Sequence, residues 1–291
     1  MYGQIQCRAK INLYLGITGK REDGYHEIET VFQPVSLSDH IDVYESDSGI
    51  TVSGNDDSIR WDSSNLCHIA ARELLETAGY RGGVTIEVEK NIPHGAGLGG
   101  GSSDAAGVLV GLNDCLNLGL PGRMLMEIAL RIGSDVPFFV YNRPAVGRGR
   151  GEILESARGI SGVYVLLVVP GIRINTSEAY KNVDLMLTKD ESRYKLGLFL
   201  EGLDRIPQGK IRSHNSFEKS IKAGYPEIKE ILELLRGNEN SIFSSLSGSG
   251  SVCFSVFDDE REARNALRFI SGKGYSGLVV EPREKAIKLE C

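Results

Sequence analysis

The segment that most constrains this chain is a glycine-rich stretch at residues 93–106, which reads PHGAGLGGGSSDAA. Because glycine has no Cβ atom, such a segment adopts positive φ angles easily and can lay its backbone against a ligand. The Ser102, Ser103 and Asp104 side chains that follow predict the start of a helix, since they can accept hydrogen bonds from first-turn amides. A loop that ends at a helix N-terminus suits phosphate groups, so we expect a nucleotide held by its phosphates.

Other interpretations of this loop have to be weighed. A Walker A loop is excluded because Gly101 is followed by Ser102 and not by lysine. Positions 95–100 match the dinucleotide pattern G-x-G-x-x-G, but such a site needs a second strand about 20 residues further on. The sequence instead predicts helices at 105–118 and 121–132. A glycine-rich turn without a ligand is disfavoured, because its glycines would lose much conformational entropy on folding.

Length, charge and cysteine content narrow the class of protein. A chain of 291 residues is long for one hydrophobic core, so two domains are expected. The net charge of −6 argues against a general nucleic-acid binder. The five cysteines lack metal-ligand spacing, which predicts reduced thiols and no zinc site. We find neither an apolar signal core nor a run near the ~20 residues of a membrane helix. A cytoplasmic protein without a membrane partner is expected, and its oligomeric state stays open.

The hydrophobic pattern predicts an α+β chain in two parts. In the first part we expect strands at 5–15, 40–45, 50–52 and 84–88, and a helix that begins after Asp62 and ends near Gly79. A stretch rich in Gly, Arg and Ser follows, and we place the domain boundary there, giving domains 1–155 and 156–291. The second part should be an antiparallel sheet with helices on one side. Its expected strands are 163–169, 251–257 and 279–280, and its expected helices are 226–236 and 260–270.

Four further motifs accompany the glycine loop. They are AKINLYL at 9–15, REDGYH at 21–26, GSDVPFF at 133–139 and SLSGSGSV at 245–252. In this order, and over nearly the whole chain, the five motifs resemble the GHMP family of small-molecule kinases. The resemblance implies an N-terminal ATP-binding domain similar to domain 2 of ribosomal protein S5, followed by a ferredoxin-like α+β domain.

The resemblance also implies a reaction. ATP, with Mg²⁺, would donate its γ-phosphoryl group to the 2-hydroxyl group of a methylerythritol carried on cytidine diphosphate. This step belongs to the non-mevalonate route to isoprenoids. The partner is therefore expected to be a small molecule that carries cytidine diphosphate.

Two residues are implied to be catalytic. Asp135 would take the proton of the acceptor hydroxyl group as general base, whereas the residues alone allow a capping role ahead of Pro137 equally well. Lys10 would lie beside Asp135 and keep its carboxylate ionised. From the residues alone, Lys10 could equally be a solvated side chain on an edge strand. Successive side chains of a strand point to opposite faces. Lys10 and Asn12 are therefore predicted to lie on one face of their strand, and the other face is predicted to carry Ala9, Ile11, Leu13 and Leu15.

The remaining candidates are implied to bind one of the two substrates. Tyr25 and His26 would stack on cytosine and contact its edge, with Tyr180 as the opposing aromatic residue. Asn12 and Thr176 would bind the rest of the acceptor. The residues around ATP would be Asn65, Pro93, His94, Gly95, Ala96, Gly97, Leu98, Gly99, Gly100, Gly101, Ser102 and Ser103.

Several alternatives to these roles stay open. Tyr180 could make a core contact of a short helix, and Asn65 could cap a helix. Residues 248–251 would contact the substrate or phosphate, or form only a hairpin turn. Ser102 or Ser103 could supply a hydroxyl ligand to Mg²⁺, and the sequence does not choose between them.

Two competing functions remain. Another GHMP kinase would act on a mevalonate derivative, homoserine or a sugar, but those acceptors contain no base for residues 23–26 to contact. A nucleotide-binding regulator without turnover should have lost Lys10 or Asp135, and this chain has both.

Overall fold

The computed structural model describes residues 3–184, 196–206 and 209–290. Its strands are β1 (Gly3–Lys20), β2 (His26–Ser46), β3 (Ile50–Gly54), β4 (Gly83–Glu89), β5 (Ala145–Arg148), β6 (Ile153–Ser156), β7 (Tyr164–Val169), β8 (Phe243–Leu246), β9 (Cys253–Phe257), β10 (Ser276–Val280) and β11 (Ile287–Glu290). Its helices are α1 (Leu66–Ala78), α2 (Gly100–Cys115), α3 (Gly122–Ile132), α4 (Val136–Tyr141), α5 (Thr176–Asp184), α6 (Leu196–Leu203), α7 (Glu218–Gly224), α8 (Pro226–Arg236) and α9 (Glu260–Gly272).

The first sheet is built around the long antiparallel pair of β1 and β2. Its order is β11-β1-β2-β4-β3, and β5 pairs with both β2 and β6. Helices α1 to α4 contribute apolar side chains to the core beneath this sheet, which includes Leu74, Leu109, Ile128 and Phe138. The phosphate-loop helix α2 approaches β1 very closely, because it carries glycine where it crosses the strand. A Cβ atom on Gly107 would lie 2.2 Å from the Cys7 sulfur.

The second sheet is antiparallel, with the order β10-β7-β9-β8. The side chains of β7 alternate between two cores, as expected for a strand covered on both faces. Leu166 and Val168 pack with apolar residues of α5, α7, α8 and α9. Val165 and Leu167 pack with residues of β1 and β2, so the two sheets share a core. The predicted α+β class and the antiparallel second sheet are confirmed. Helices α5, α7, α8 and α9 cover one face of this sheet as predicted, whereas α6 packs in the core on the other face.

Strand β1 departs from simple alternation, and one prediction about its faces is therefore wrong. The register with β2 shifts between Arg8 and Lys10 and again between Asn12 and Tyr14, as at a β-bulge. After the second shift, Tyr14 lies in the same core as Ile11. Leu15 instead packs with the helices of the second sheet. The predicted single face of Ala9, Ile11, Leu13 and Leu15 thus ends before Leu15.

The stretch chosen as the domain boundary contains two strands that the pattern did not predict. Strands β5 and β6 extend the first sheet from β2. A further strand, β11, returns after β10 and pairs with β1. The division into 1–155 and 156–291 stays a prediction. Within the described ranges, none of the helices has the length and apolar character needed to cross a bilayer.

Enlarging Gly107 should separate α2 from β1. We expect Gly107→Val to lower the free energy of unfolding by about 1–3 kcal/mol, because the new methyl groups must displace Cys7 in a packed core. Urea unfolding measures this change. The matched control is Gly122→Ala at the start of α3, where an added Cβ meets no atom within 4 Å. A Gly107→Val protein as stable as this control would contradict the close packing.

Candidate active site

The glycine loop lies between the two sheets with part of its backbone exposed. Ile92, Ala96 and Leu98 are buried in the core that the sheets share. Gly97 has φ of 82°, and a Cβ atom there would lie 2.2 Å from the Ser247 carbonyl oxygen. Gly95 also has positive φ, but a Cβ atom there would meet nothing within 4 Å. The apolar residues and Gly97 therefore anchor the loop, while Gly95 leaves an open backbone surface.

Helix α2 begins earlier than predicted, and its predicted side-chain cap is wrong. The residue that caps it is Gly99, with φ of 73° and no side-chain hydrogen bond. Ser103 is buried inside the first turn, where its hydroxyl group donates to the Arg8 carbonyl oxygen at 2.7 Å. Asp104 is also buried and faces Lys90. The free amides at this helix end therefore point toward the open face of the loop, where an anion would be favoured.

Below the loop, Lys90 forms a buried ion cluster with Asp39 and Asp104. Its ammonium group donates to both carboxylates, with 2.6 Å to Asp104 Oδ2. The second oxygen of Asp39 accepts from the Asn91 and Ile92 amides at 2.6 Å and 2.8 Å. This cluster therefore joins β2, the start of the loop and α2.

The ion cluster contains two carboxyl groups and one ammonium group, and the excess of acidic groups affects the protonation of Asp104. Burial, together with the Asp39 carboxylate, raises the pKa of Asp104 to about 8 despite the opposing effect of Lys90. The two carboxylates in turn hold the pKa of Lys90 above its ordinary value, although burial opposes this. One proton shared by the acids would make the cluster neutral, which a buried site favours.

Lys10 and Asp135 come together on the other side of the loop. Lys10 Nζ lies 3.3 Å from Asp135 Oδ2 and donates to Asn12 Oδ1 at 2.7 Å. Asn12 in turn donates to Thr30 Oγ1 at 2.8 Å. Lys10 is only 3% exposed and lies on an interior strand, so the alternative of a solvated lysine on an edge strand is wrong.

Asp135 stands at the start of α4 but does not use its carboxylate there. It makes no side-chain capping hydrogen bond, so the alternative role as a cap ahead of Pro137 is not observed. The side chain is 35% exposed, in contrast to the buried side chain of Lys10. One oxygen of this carboxylate faces the lysine, and the group as a whole remains accessible to a small molecule.

Two of the three aromatic candidates stack on each other, and the third lies apart from them. His26 and Tyr180 stack directly, with ring centroids 4.5 Å apart and planes 18° apart. Phe217 meets the edge of Tyr180 at 4.8 Å. Tyr25 is 52% exposed and has the Arg150 guanidinium 4.6 Å from its ring centroid. The rings of His26 and Tyr180 are thus in contact, while Tyr25 offers an open ring.

Tyr180 also lies near the catalytic candidates. Burial and the negative charge of Asp135 raise the pKa of Tyr180 to about 12. The Tyr180 hydroxyl group is therefore neutral at physiological pH. The stacked pair of His26 and Tyr180 thus borders the Lys10–Asp135 side of the site.

The remaining candidates lie around the loop. Asn65 caps α1, since its side chain accepts from the Cys67 amide at 2.9 Å, and its amide group donates to the Arg60 carbonyl oxygen. Thr176 Oγ1 lies 3.1 Å from Ser249 Oγ. The turn between β8 and β9 contains residues 248–251, and its neighbour Ser247 donates to the Gly97 carbonyl oxygen at 2.9 Å. This turn is both a hairpin connection and a support of the glycine loop.

Several residues of the site were missed from the sequence. The missed residues lie on or beside strands and are Lys90, Asp39 and Thr30. The alternation of side chains along a strand does not distinguish a buried polar residue from a solvated one. The position of Lys90 three residues before the glycine loop is the only local signal for its role. Asp39 carried no such signal, because its partner comes from another strand.

Comparison with known proteins agrees with this arrangement. Residues 65–143 match the GHMP kinases N terminal domain, and residues 200–276 match the GHMP kinases C terminal domain. The chain is 40% identical to the 4-diphosphocytidyl-2-C-methyl-D-erythritol kinase of Syntrophotalea carbinolica, over 94% of this chain and 96% of that protein. A crystal structure of 4-(cytidine 5'-diphospho)-2C-methyl-D-erythritol kinase matches with a TM-score of 0.80 and 34% identity, over 96% of this chain and 99% of the other.

The chain therefore belongs to the GHMP kinase family, in the group of the 4-diphosphocytidyl-2-C-methyl-D-erythritol kinases. The predicted resemblance to this family is confirmed. A homoserine kinase from Cytophaga hutchinsonii also matches, with a TM-score of 0.73 over 99% of this chain and 96% of the other. Because its identity is only 17%, that match shows a shared fold alone.

The ion cluster predicts a pH dependence of stability. The native protein holds the Asp104 proton up to about pH 8, whereas the unfolded chain releases it near pH 4. Between these values the native state binds more protons, so its free energy of unfolding falls as the pH rises. Urea unfolding between pH 5 and pH 8 should show a steeper fall for the wild type than for Asp104→Asn, by up to about 1.4 kcal/mol per pH unit. Equal slopes for the two proteins would contradict the raised pKa.

Proposed function

We propose that this chain transfers the γ-phosphoryl group of ATP to the 2-hydroxyl group of 4-diphosphocytidyl-2-C-methyl-D-erythritol, in the non-mevalonate route to isoprenoids. The observation that carries the proposal is the Lys10–Asp135 pair beside an open glycine loop, at 3.3 Å. Its support comes from relatives and a solved structure that bear the name of this kinase. Phosphoryl transfer depends mainly on alignment and charge stabilisation, which such a site can supply.

The glycine loop fits the phosphate groups of ATP. The amides at the start of α2 are not capped by a side chain, and Gly95 leaves its side of the loop open. Backbone amides at a helix N-terminus attract phosphate oxygens without introducing a flexible side chain. Asn65 lies near the loop as the cap of α1, and we propose that α1 borders the adenine.

Asp135 acts in this proposal as the general base. Its accessible carboxylate accepts the proton of the acceptor hydroxyl group while the oxygen bonds to the γ-phosphorus and the bond to the β-phosphate oxygen breaks. Lys10 keeps Asp135 ionised and stabilises negative charge on the acceptor oxygen. Asn12 orients the Lys10 ammonium group, because its carboxamide oxygen accepts from Nζ at 2.7 Å.

Mg²⁺ is expected to accompany ATP, where it would neutralise charge on the β- and γ-phosphates. Among the candidate hydroxyl ligands, we favour Ser102. Ser103 already donates to the Arg8 carbonyl oxygen, and Asp104 is held by Lys90. Ser102 is half-buried in the first turn of α2 and has a hard oxygen, which Mg²⁺ prefers.

Cytosine recognition is assigned to the aromatic residues at one end of the site. The exposed ring of Tyr25 offers a face for stacking. His26 and Tyr180 stack directly on each other, which leaves no space for cytosine between their rings. Cytosine would therefore contact the edge of this stack. Thr176 borders the same region through its contact with Ser249 and is assigned to the acceptor.

The test of this function is acceptor-dependent release of ADP from Mg·ATP. We expect release with the cytidyl acceptor and no release above background with mevalonate, homoserine or galactose. The Lys10→Ala protein provides the background rate of ATP hydrolysis. Release only with one of the other acceptors would keep the catalytic pair and contradict the proposed substrate. Release with none of them would favour a nucleotide-binding regulator.

The role of Asp135 can be tested separately from binding. We expect Asp135→Asn to lower kcat by roughly 10²-fold or more, because a general base of this kind typically contributes 10²–10⁴-fold. The KM for ATP should change little, since the phosphates are bound by the glycine loop. Steady-state kinetics with both substrates varied gives both values. An unchanged kcat would remove Asp135 from the role of base.

A further inference from the structure

One arginine near the glycine loop has no role in the catalytic scheme. Arg173 follows β7 and is exposed, and its Nη2 donates to Ser58 Oγ at 3.2 Å. Ser58 belongs to the segment between β3 and α1. A single hydrogen bond between exposed side chains contributes little to stability, so this contact is not explained by folding.

The backbone on both sides of Arg173 is fixed. The Ile172 carbonyl oxygen accepts a hydrogen bond from the Ser251 hydroxyl group. The Ile174 side chain is buried, and a Cβ atom on Gly250 would lie 3.0 Å from its Cδ1. Ser251 and Gly250 belong to the turn that supports the glycine loop. The arginine side chain therefore extends from a rigid base.

The segment that Arg173 reaches is also anchored at the loop. The Lys90 amide donates to Asn55 Oδ1 at 2.7 Å, and the Ser58 amide donates to Asp56 Oδ1 at 2.8 Å. The charge of Arg173 is felt within this group of residues. It helps to lower the pKa of His94, after the larger effect of burial. Because His94 precedes Gly95, the guanidinium lies near the open side of the loop.

The charges around the loop explain what such an arginine could do. The Lys10 ammonium faces Asp135, and the Lys90 ammonium faces two carboxylates. Arg173 differs from both lysines, because within the described residues no carboxylate lies within 4.0 Å of its guanidinium. The nearby Asp56 carboxylate is held mainly by hydrogen bonds from Ser58, which lower its pKa, and Arg173 adds only a smaller effect. Its positive charge is thus available to an anion that enters the loop. A guanidinium can also give two parallel hydrogen bonds to a phosphate group.

We propose that Arg173 is a nucleotide-binding residue, whose guanidinium leaves Ser58 and pairs with a phosphate group of the ATP bound to the glycine loop. This inference rests on the proposed function in so far as ATP is the nucleotide. It gives the second domain a direct contact with the donor substrate. The contact would couple binding of ATP to the position of the segment that carries Ser58.

The test measures binding of ATP by titration, without an acceptor, together with steady-state kinetics. We expect Arg173→Ala to raise the Kd and the KM for ATP by roughly tenfold or more, because hydrogen bonds to charged groups are strong. The KM for the acceptor should stay within about twofold. The Kd and KM of Arg173→Lys for ATP should lie between those of the wild type and Arg173→Ala. Lysine keeps the positive charge but cannot donate two parallel hydrogen bonds to one phosphate group.

Two controls separate phosphate binding from a structural role. Ser58→Ala removes the observed partner of Arg173 but leaves the guanidinium, so the affinity for ATP should be kept. Arg158→Ala removes another exposed arginine, which pairs with Asp204, and should leave Kd unchanged. Binding of adenosine, which has no phosphate group, should not depend on Arg173.

The outcomes are distinct. An unchanged Kd for ATP in Arg173→Ala, or an equal loss in Ser58→Ala, would overturn the phosphate contact. Lack of turnover with intact, Arg173-dependent binding of ATP would contradict the proposed acceptor and leave this inference standing. A wild-type protein that does not bind ATP would contradict both proposals.

Discussion

The arrangement of the site depends on one buried cation, the ammonium group of Lys90. It stands at the entrance of the glycine loop and contacts Asp39 on β2 and Asp104 on α2, immediately after the loop. Both ends of a glycine-rich segment are thereby joined to the same point of the sheet. Glycine alone has little conformational preference, so without such fixation the loop amides would sample many orientations. The cluster thereby fixes the backbone of the loop, and no side chain caps the amides at the start of α2.

The Lys10–Asp135 pair, which we propose to be catalytic, depends in turn on this loop. Lys10 donates its amide to the Leu98 carbonyl oxygen, and a Cβ atom on Gly99 would lie 3.1 Å from the Lys10 side chain and 2.9 Å from Phe139. The missing side chain at Gly99 is therefore what allows the lysine stem to pass beneath the loop. Because the stem is buried, Lys10 reaches Asp135 in one orientation only. Gly99 thus belongs to the loop that we propose to bind phosphate, and it also makes room for Lys10.

Much of this could be predicted from the sequence, for reasons that differ between residues. Alternation of apolar residues predicts β4, and a proline at the first turn with a glycine after the last turn predicts α8. Lys10 and Asp135 were predicted from motifs, because strand and turn propensities do not show whether a charged side chain is buried or exposed. The register shift at Tyr14, the return of β11 to β1 and the partnership of Asp39 with Lys90 depend on contacts between distant segments, which no local pattern encodes. The stack of His26 on Tyr180 is of the same kind, because His26 begins β2 and Tyr180 lies on α5.

The two proposed substrates are multiply charged anions, and the net negative charge of this chain repels them. The net charge is −6, and both lysines of the site already face carboxylates. Attraction of phosphate groups must then come from groups whose charge is not compensated. The N-terminal end of α2 is one such group, because its partial positive charge is carried by backbone amides that no side chain caps. Arg173, which follows β7, would be the second. Because these amides belong to α2, which packs on the first sheet, and the guanidinium follows β7 of the second sheet, the proposed binding of ATP would depend on the packing between the two sheets.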